Sequence, residues 1–190
     1  SAASDVYKRQ DGTTYTFHLN DGMTFSNGDK LDADDVAWSI NELVTKQYHD
    51  ADSLVNFVSV KASDPNTVEL KLSAPYANLL WVLTGRPGLV FDKDAKYDAK
   101  TQAIGSGPYT VEKFVTNSSI TLKANPNYWG ANKAKTDTVV VRYFTDDNAA
   151  VNALKSGDVQ VLAPISENLA EPFTKDSDHY VVSYTHLRAH

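Results

Sequence analysis

Few groups of side chains in this sequence combine the residue types and the spacing that chemistry requires. Asp34 and Asp35 are adjacent carboxylates, the residue type that general acid–base catalysis uses in pairs. Neighbouring residues on a helix diverge by about 100°, so these two do not share a site. Both follow Asp32 at the start of an apolar helical pattern, where acidic residues suit the exposed backbone N–H groups. We interpret them as capping residues.

Gly105-Ser106-Gly107 is the second group, because glycine-rich loops can bind phosphate. A nucleotide loop needs a further glycine and a strand directly before it, and neither is present here. Pro108 and Tyr109 follow, and two glycines around a serine before a proline permit a sharp passage of the backbone. We interpret the segment as a conformational crossing.

Other catalytic and metal chemistries lack their residues. The sequence has no cysteine, which excludes disulfides, thiol catalysis and cysteine-ligated zinc. It has no G-x-S-x-G elbow of a serine hydrolase. His186 and His190 stand four residues apart, as some metal ligands do, but they lie in a tail that we exclude below. We therefore predict no catalytic residue, no metal site and no cofactor.

The bulk composition is that of an ordinary globular protein. The chain has 190 residues, enough for one domain or two small ones, and 42% of them are hydrophobic. The net charge of −6, without a cluster of Lys and Arg, argues against nucleic acid as a partner. No apolar run reaches the length of a membrane span, and no signal-peptide pattern is visible.

The crossing is followed by a β-hairpin pattern and an aromatic loop. Residues 110–115 and 119–124 alternate in hydrophobicity around a short polar break, which predicts a hairpin. Asn125-Pro126-Asn127-Tyr128-Trp129 comes next. This order of G-S-G-P-Y, hairpin and N-P-N-Y-W resembles the signature of the extracytoplasmic solute-binding proteins of peptide- and nickel-type ABC transporters, the family of the dipeptide- and oligopeptide-binding proteins.

Two further stretches are similar to the same family. Residues 14–40 resemble its strand, its L-x-D-G-x-x-F-x-x-G segment and its capped helix, and residues 146–161 resemble a helix that ends in L-x-x-G-D before a strand. The resemblance covers about residues 13 to 165. It implies a mixed α/β (α+β) fold like that of periplasmic binding proteins, of which this chain would supply one lobe, with the second lobe missing.

The two ends of the chain look foreign to that fold. Residues 1–10 and about 182–190 resemble translated sequencing-library transposon adapters, the same DNA read on opposite strands, so we exclude both from fold reasoning. We predict four segments: a non-native tail at 1–10, an inserted α+β subdomain at 11–104, a partial main lobe at 105–181 with a hairpin and then strand–helix–strand, and a non-native tail at 182–190.

Periodicity and turn residues predict the individual elements. Helices are expected at about 33–46, 76–83 and 147–156. A half-buried strand is expected at 14–19. Hairpin strands are expected at 57–60 with 67–72 and at 110–115 with 119–124, a short strand at 89–91, a strand buried on both faces at 138–144, and a buried strand at 159–162. Trp38 and Trp129 are expected to pack in the interior.

The resemblance implies a ligand cleft between two lobes, and four residues are candidates to face it. Arg86 stands between glycines and proline, where a guanidinium can meet a carboxylate; the alternative is a solvated arginine. Trp81 could line a pocket or pack in the core. Ser106 and Tyr109 lie at the crossing, and the alternative for Tyr109 is a core residue with its hydroxyl satisfied. Gly105, Gly107 and Pro108 are the expected hinge.

The predicted function is therefore capture of oligopeptides or dipeptides and their delivery to the permease subunits of an ABC importer, by a monomer that is not an enzyme. The resemblance places it outside the cytoplasm, in the periplasm or on the cell surface, in contact with a membrane only through a lipid anchor or the permease. Nickel chelates, haem or oligosaccharides remain alternative ligands. The sensor domain of a signalling protein is an alternative function, and a hydrolase is a weaker one because no converging carboxylates are visible.

Overall fold

The computed structural model describes residues 3–8, 11–98, 100–163, 166–174 and 181, without the side chains of residues 3–8, 167 and 172. The chain divides into two compact units, the first ending at Val141 and the second beginning at Arg142. None of the helices within these ranges is both long enough and apolar enough to cross a bilayer. The C-terminal tail with His186 and His190 lies outside the described residues.

The elements are mixed helices and strands. The strands are β1 Ala3–Lys8, β2 Thr14–Leu19, β3 Phe57–Asp64, β4 Thr67–Leu72, β5 Tyr109–Val115, β6 Ser119–Ala124 and β7 Thr138–Arg142. The helices are α1 Ala33–Thr45, α2 Leu79–Val82, α3 Asp147–Lys155 and α4 Glu167–Ala170. Short 3-10 turns occupy Ala51–Ser53, Arg86–Gly88 and Glu171–Phe173.

A four-stranded antiparallel sheet in the order β1-β2-β4-β3 carries the core, and we name it the helix-backed sheet because α1 packs on it. Tyr15 pairs with Leu70 and Phe17 with Val68 in the β2–β4 ladder. Alternate residues of a strand share one face, so these pairs align one apolar side of the sheet with α1. Leu70 and Phe25 are fully buried there.

Helix α1 forms where the sequence predicted it, and its start is capped as expected. The Asp32 side chain accepts hydrogen bonds from the backbone N–H groups of Asp34 and Asp35. Asp35 in turn accepts the backbone N–H of Asp32, which completes a capping box. Ile40 and Leu43 point into the core, whereas Trp38, expected inside, is 39% exposed.

The N-terminal segment forms a strand although we set it aside. Backbone atoms of β1 pair antiparallel with β2 from Ala3 to Lys8, with a register shift between Ala3 and Asp5. A ladder of this kind uses main-chain groups that every non-proline residue carries. Strand pairing is therefore independent of where a peptide comes from, and the adapter origin of residues 1–10 stays a prediction.

Both predicted hairpins are confirmed. The β3–β4 turn at Asp64-Pro65-Asn66 is closed by the Asn66 backbone N–H, which donates to the Asp64 carboxylate at 2.9 Å. In the β5–β6 hairpin the turn contains Asn117 at φ 57°, a left-handed conformation that asparagine tolerates.

Strand β7 completes a three-stranded sheet in the order β5-β6-β7, which we name the open sheet. The prediction that β7 is buried on both faces is wrong: Val140 is 53% exposed and Val141 40% exposed. No strand residue of the open sheet is fully buried. A continuous apolar run identifies a strand, but the burial depends on layers that must cover it.

Three other element predictions need correction. The helix expected at 76–83 is confined to Leu79–Val82. No strand forms at 89–91, because the Phe91 N–H and C=O bond to the Ser39 hydroxyl instead of to a neighbouring strand. Residues 159–162 also form no strand; the Val159 N–H donates to the Ala153 carbonyl at the end of α3, and Val161 is 80% exposed.

Within the second unit, α3 begins and ends as predicted. The Asp146 side chain accepts the Ala149 backbone N–H at 2.8 Å, which caps the helix start. Gly157, at φ 80°, follows the helix end, in the left-handed region that glycine enters without steric cost. Further along, the Lys155 ammonium lies 5.6 Å from the centre of the Phe173 ring.

Candidate functional site

The crossing at 105–109 is held on its N-terminal side by a loop that precedes α1. The Ser26 backbone N–H donates to the Gly105 carbonyl at 2.7 Å. Neither Gly105 nor Gly107 adopts a left-handed φ, and a Cβ at either would meet no atom within 4 Å. The steric reason for glycine that the sequence suggested is therefore wrong, while the hinge role of Gly105, Gly107 and Pro108 stays a prediction.

Asn125 holds the crossing on its other side. Its side-chain amide donates to the Gly107 carbonyl at 3.2 Å, and its backbone N–H donates to the Pro108 carbonyl at 2.8 Å. The residue is only 6% exposed. The G-S-G-P-Y and N-P-N-Y-W segments, which the sequence places on either side of a hairpin, are thus bonded to each other through one side chain and its backbone.

The remaining groups of Asn125 shape its own loop. Its Oδ1 accepts the Asn127 backbone N–H at 3.0 Å, an Asx turn, and its carbonyl accepts the Tyr128 N–H at 3.2 Å. Sequence reasoning missed this residue as an organiser of the site. The signal was present: an asparagine before a proline often forms a turn in which its side-chain oxygen accepts the backbone N–H two residues later.

Ser106 and Tyr109 lie half-buried in the crossing. Among the described residues, neither hydroxyl has a hydrogen-bond partner. Each hydroxyl can both donate and accept, so the crossing carries unused hydrogen-bonding capacity beside the bonded carbonyls of Gly105, Gly107 and Pro108.

Trp129 packs against the helix-backed core, as predicted, and its ring lies 5.6 Å from that of Tyr128. Its indole Nε1 is buried and has no partner within the described part of the chain. The next residue, Gly130, sits under the Tyr128 side chain, where a Cβ would overlap the phenol ring. The aromatic loop is therefore fixed on the core by contacts that only a small residue at 130 allows.

Arg86 already has a carboxylate partner. Its Nη1 lies 3.3 Å from Oδ2 of Asp50, and both side chains are well exposed. His49 Nδ1 lies 3.4 Å from the other oxygen of the same carboxylate. A single exposed contact of this kind contributes little and is readily exchanged. The guanidinium can therefore turn to another anion at small cost.

The turn that carries Arg86 is pinned at Gly88. A Cβ at Gly88 would overlap the backbone carbonyl of Leu83, so only glycine permits this approach to the end of α2. The Leu83 N–H in turn bonds the Leu79 carbonyl at 3.0 Å, and Leu79 is fully buried. The backbone at position 86 is thus anchored to the core through α2.

Trp81 is 78% exposed, so the alternative that it packs in the core is wrong. It lies on α2, which contacts the turn carrying Arg86. Other large apolar side chains of the same stretch are also exposed: Leu80, Leu89 and Phe91. An exposed indole is a surface for flat or apolar groups, and exposure of this degree is uncommon for a tryptophan.

A network of buried polar groups fixes the segment between that turn and the crossing. The Asp35 carboxylate accepts the Lys93 backbone N–H at 3.3 Å, and the Ser39 hydroxyl bonds both backbone groups of Phe91. Asp92 accepts the Asn27 amide at 2.9 Å. We name these contacts the 91–95 tether.

Charge in the tether is unevenly stabilised. Burial raises the pKa of Asp35 above its ordinary value, although the backbone N–H groups of Asp32 and Lys93 oppose the shift. Burial also works to raise the pKa of Asp92, but hydrogen bonds from Asn27 and from the backbone N–H groups of Asp94 and Ala95 outweigh it and hold that pKa below its usual range. Sequence reasoning found neither long-range bond.

No described group of three or more His, Asp or Glu side chains is placed to hold a metal ion. The predicted ligand-binding residues fall into two groups: Trp81 and Arg86 lie on α2 and the turn after it, and Ser106 and Tyr109 lie at the crossing. No hydrogen bond or ion pair in the described ranges joins one group to the other.

Comparison with known proteins places this fold. The chain is 36% identical over 173 residues to protein XP55 of Streptomyces lividans, covering 87% of this chain and 31% of that protein. It is 26% identical over 179 residues to the glutathione-binding protein GsiB of Salmonella paratyphi A, covering 91% and 35% respectively. The chain thus spans about a third of the length of these relatives.

The crystal structure of NikZ from Campylobacter jejuni in complex with Ni(L-His) superposes with a TM-score of 0.82 at 25% identity, over 93% of this chain and 37% of that one. This confirms the predicted mixed α/β fold of the periplasmic-binding-protein type. The profile of the bacterial extracellular solute-binding proteins, family 5 (middle), matches residues 1–189. The chain belongs to the bacterial extracellular solute-binding proteins of family 5.

Proposed function

We propose that this chain is part of an extracytoplasmic binding protein that captures oligopeptides or dipeptides and presents them to the permease of an ABC importer. The observation that carries the proposal is the crossing. Its carbonyls at Gly105, Gly107 and Pro108 are all engaged, while the Ser106 and Tyr109 hydroxyls stay free among the described residues. A fixed backbone with unused polar side chains is a preorganised surface for a polar ligand.

Peptide is the ligand that this chemistry fits best. Hydroxyls at a rigid strand start can bond a peptide main chain, and an exposed indole can cover side chains of varied shape without strict selection. Arg86, held only by an exposed ion pair, can exchange Asp50 for a ligand carboxylate. The glutathione-binding protein of Salmonella, a relative, is named for a peptide ligand.

The proposed mechanism is closure of two lobes around the ligand. A hinge at Gly105, Gly107 and Pro108 would turn the lobe, and the closed form would be presented to the permease. The chain supplies binding and positioning groups for this and no catalytic step. We place the whole protein in the periplasm or on the cell surface, acting as a monomer.

A nickel chelate is the second candidate ligand, because the structurally similar NikZ was crystallised with Ni(L-His). In that case an amino-acid carboxylate of the chelate would take the place of the peptide carboxylate at Arg86. Haem, oligosaccharides and a sensor role are further alternatives within the same fold.

The test uses the full-length parent protein. Isothermal titration against an equimolar mixture of di- and tripeptides should give micromolar or tighter binding, and Ni(II) with L-histidine should give less heat. Arg86→Ala and Trp81→Ala should each weaken peptide binding about tenfold or more, whereas the matched control Trp38→Ala should not. Binding of the nickel chelate alone would transfer the proposal to the second candidate.

The 190-residue chain by itself should not bind these peptides at micromolar concentration. It spans about a third of its relatives, and a cleft between two lobes needs groups from both. Micromolar binding by the isolated chain would show that the groups on it suffice, and would contradict the two-lobe mechanism.

A further inference from the structure

Asn125 uses every hydrogen-bonding group it has on two backbone segments. Its side-chain N–H₂ and its backbone N–H bond consecutive carbonyls of the crossing, at Gly107 and Pro108. Its side-chain oxygen and its backbone carbonyl bond the N–H groups of Asn127 and Tyr128. A solvent-exposed turn asparagine needs only the second pair of bonds.

The two pairs of bonds have different consequences. The Asx turn to Asn127 is local and shapes only the aromatic loop. The hydrogen bond from the side-chain amide to the Gly107 carbonyl joins residues 18 positions apart in sequence, and Gly107 lies between Ser106 and Pro108. Asn125 is buried and Gly107 is half-buried, so loss of this donor would leave the Gly107 carbonyl without its partner in the protein.

We propose that Asn125 is the positioning residue of the crossing: its amide fixes the Gly107 carbonyl and so sets the directions in which Ser106 and Tyr109 present their hydroxyls. Asn125 itself does not touch ligand. The part that concerns ligand rests on the proposed function, whereas the part that concerns the backbone does not.

Asn125→Asp separates the two pairs of bonds. Aspartate keeps the oxygen that accepts the Asn127 N–H, and it loses the donor to Gly107 while ionised. When it is protonated, its O–H can donate to Gly107 again. Lys123, on the strand that ends just before Asn125, is already paired with Glu112 of β5 at 2.6 Å, so we expect the new carboxyl to gain no cation from it. Burial should then raise its pKa, which brings the protonated form into an accessible pH range.

The first measurement is the ¹³C shift of the Gly107 carbonyl in the 190-residue chain, followed by NMR from pH 4 to pH 8. In the Asn125→Asp variant we expect it to titrate with one proton, from a bonded value at low pH to an unbonded value at high pH. The wild type and Asn127→Asp, the same change at the exposed neighbour, should stay flat. If the first variant proves unfolded, Asn125→Ser takes its place; it keeps the turn oxygen, is too short to reach Gly107, and should give the unbonded shift at every pH.

The second measurement is binding of the di- and tripeptide mixture by the full-length parent at pH 8. Asn125→Asp should bind about tenfold more weakly than wild type and regain affinity at low pH, while Asn127→Asp should match wild type. A Gly107 shift that stays at the wild-type value at every pH, in Asn125→Asp or in its replacement Asn125→Ser, overturns the positioning role. If the Gly107 shift titrates in Asn125→Asp but the peptide affinity of this variant equals that of wild type, the link between Asn125 and ligand binding is overturned. A wild-type parent that binds no peptide refutes the proposed function, and the Gly107 shift still decides the role of Asn125.

Discussion

The helix-backed sheet and the open sheet are built from similar sequences and reach opposite states of burial. Strands β2 and β4 alternate apolar residues on one face, and α1 covers that face, so Tyr15, Val68 and Leu70 are at most 2% exposed. Strands β5 to β7 carry even more β-branched and aromatic residues than β2 and β4, but none of their side chains is fully buried. The difference teaches that hydrophobic pattern selects a strand, and a packed layer is needed to make it core.

The two sheets should therefore respond very differently to loss of apolar volume. Leu70→Ala removes a fully buried side chain and should lower the free energy of unfolding by about 2–5 kcal/mol. Val140→Ala in β7 should change it by less than about 0.5 kcal/mol, because that side chain is 53% exposed. Urea unfolding followed by circular dichroism measures both. Equal losses would mean that the open sheet is packed as firmly as the first.

The next largest effect on stability should come from the cap at the start of α1, the helix that packs on the helix-backed sheet. Asp32→Ala removes an acceptor of two backbone N–H groups and breaks the capping box, which should cost about 0.5–2 kcal/mol of stability. Asp34→Ala changes an exposed carboxylate in the same turn and should cost clearly less. Thermal unfolding of the two variants beside wild type makes the comparison, and a larger loss in the control would contradict the capping assignment.

The 91–95 tether should make stability depend on pH through two carboxylates whose pKa values are shifted in opposite directions. Asp92 has a lowered folded pKa, so its stabilisation is full above the unfolded value of about 3.9 and is lost as pH falls through the folded pKa. Asp35 has a raised folded pKa, so its contribution to stability falls as pH rises from the unfolded value through the folded one.

Replacement by asparagine should reveal these signs. Asp92→Asn should flatten the loss of stability below about pH 4, and Asp35→Asn should remove a decline of stability just above that pH. Urea midpoints from pH 3 to 7 give both slopes, each variant serving as control for the other. If the two substitutions change the pH slope of stability in the same direction relative to wild type, the assignment is refuted.

A charge on the exposed strand β7 should have the smallest effect on stability and a measurable effect on self-association. Val140→Lys places a charge on exposed β7 and should change stability by less than about 0.5 kcal/mol. We expect the 190-residue chain to self-associate through exposed apolar surface, and this variant to reduce the self-association. Val58→Lys, on the edge strand β3 and 55% exposed, is the matched control. Sedimentation velocity that shows a monomeric wild type would contradict the expectation.

Elements with strong local signals could be predicted from the sequence. Asp32 and its acidic neighbours fixed the start of α1, and Asp64-Pro65-Asn66 fixed the first hairpin, because caps and turns depend on a few adjacent residues. Short apolar runs were the failures. Residues 89–91 and 159–162 look like buried strands, yet a run of three or four residues does not reveal whether a partner strand exists.

The candidate site was less predictable, since its geometry depends on contacts between distant residues. The amide of Asn125 bonds Gly107, the carboxylate of Asp35 bonds Lys93, and nothing in the local sequence marks either pair. Arg86 was found by its place between glycine and proline, but its partner Asp50 lies 36 residues away and sits in a left-handed conformation. Local pattern locates candidates; tertiary contacts decide what each one faces.

The close approach at Gly88 has a consequence for how such a receptor could diversify. Since the backbone of the turn is locked by Gly88 against Leu83, the shape of the turn does not depend on which side chain stands at position 86. On the proposed function, a lineage could then swap the head group at that one codon and acquire a different cargo without rebuilding the scaffold. Selection should tolerate variety at 86 and purge every change at 88.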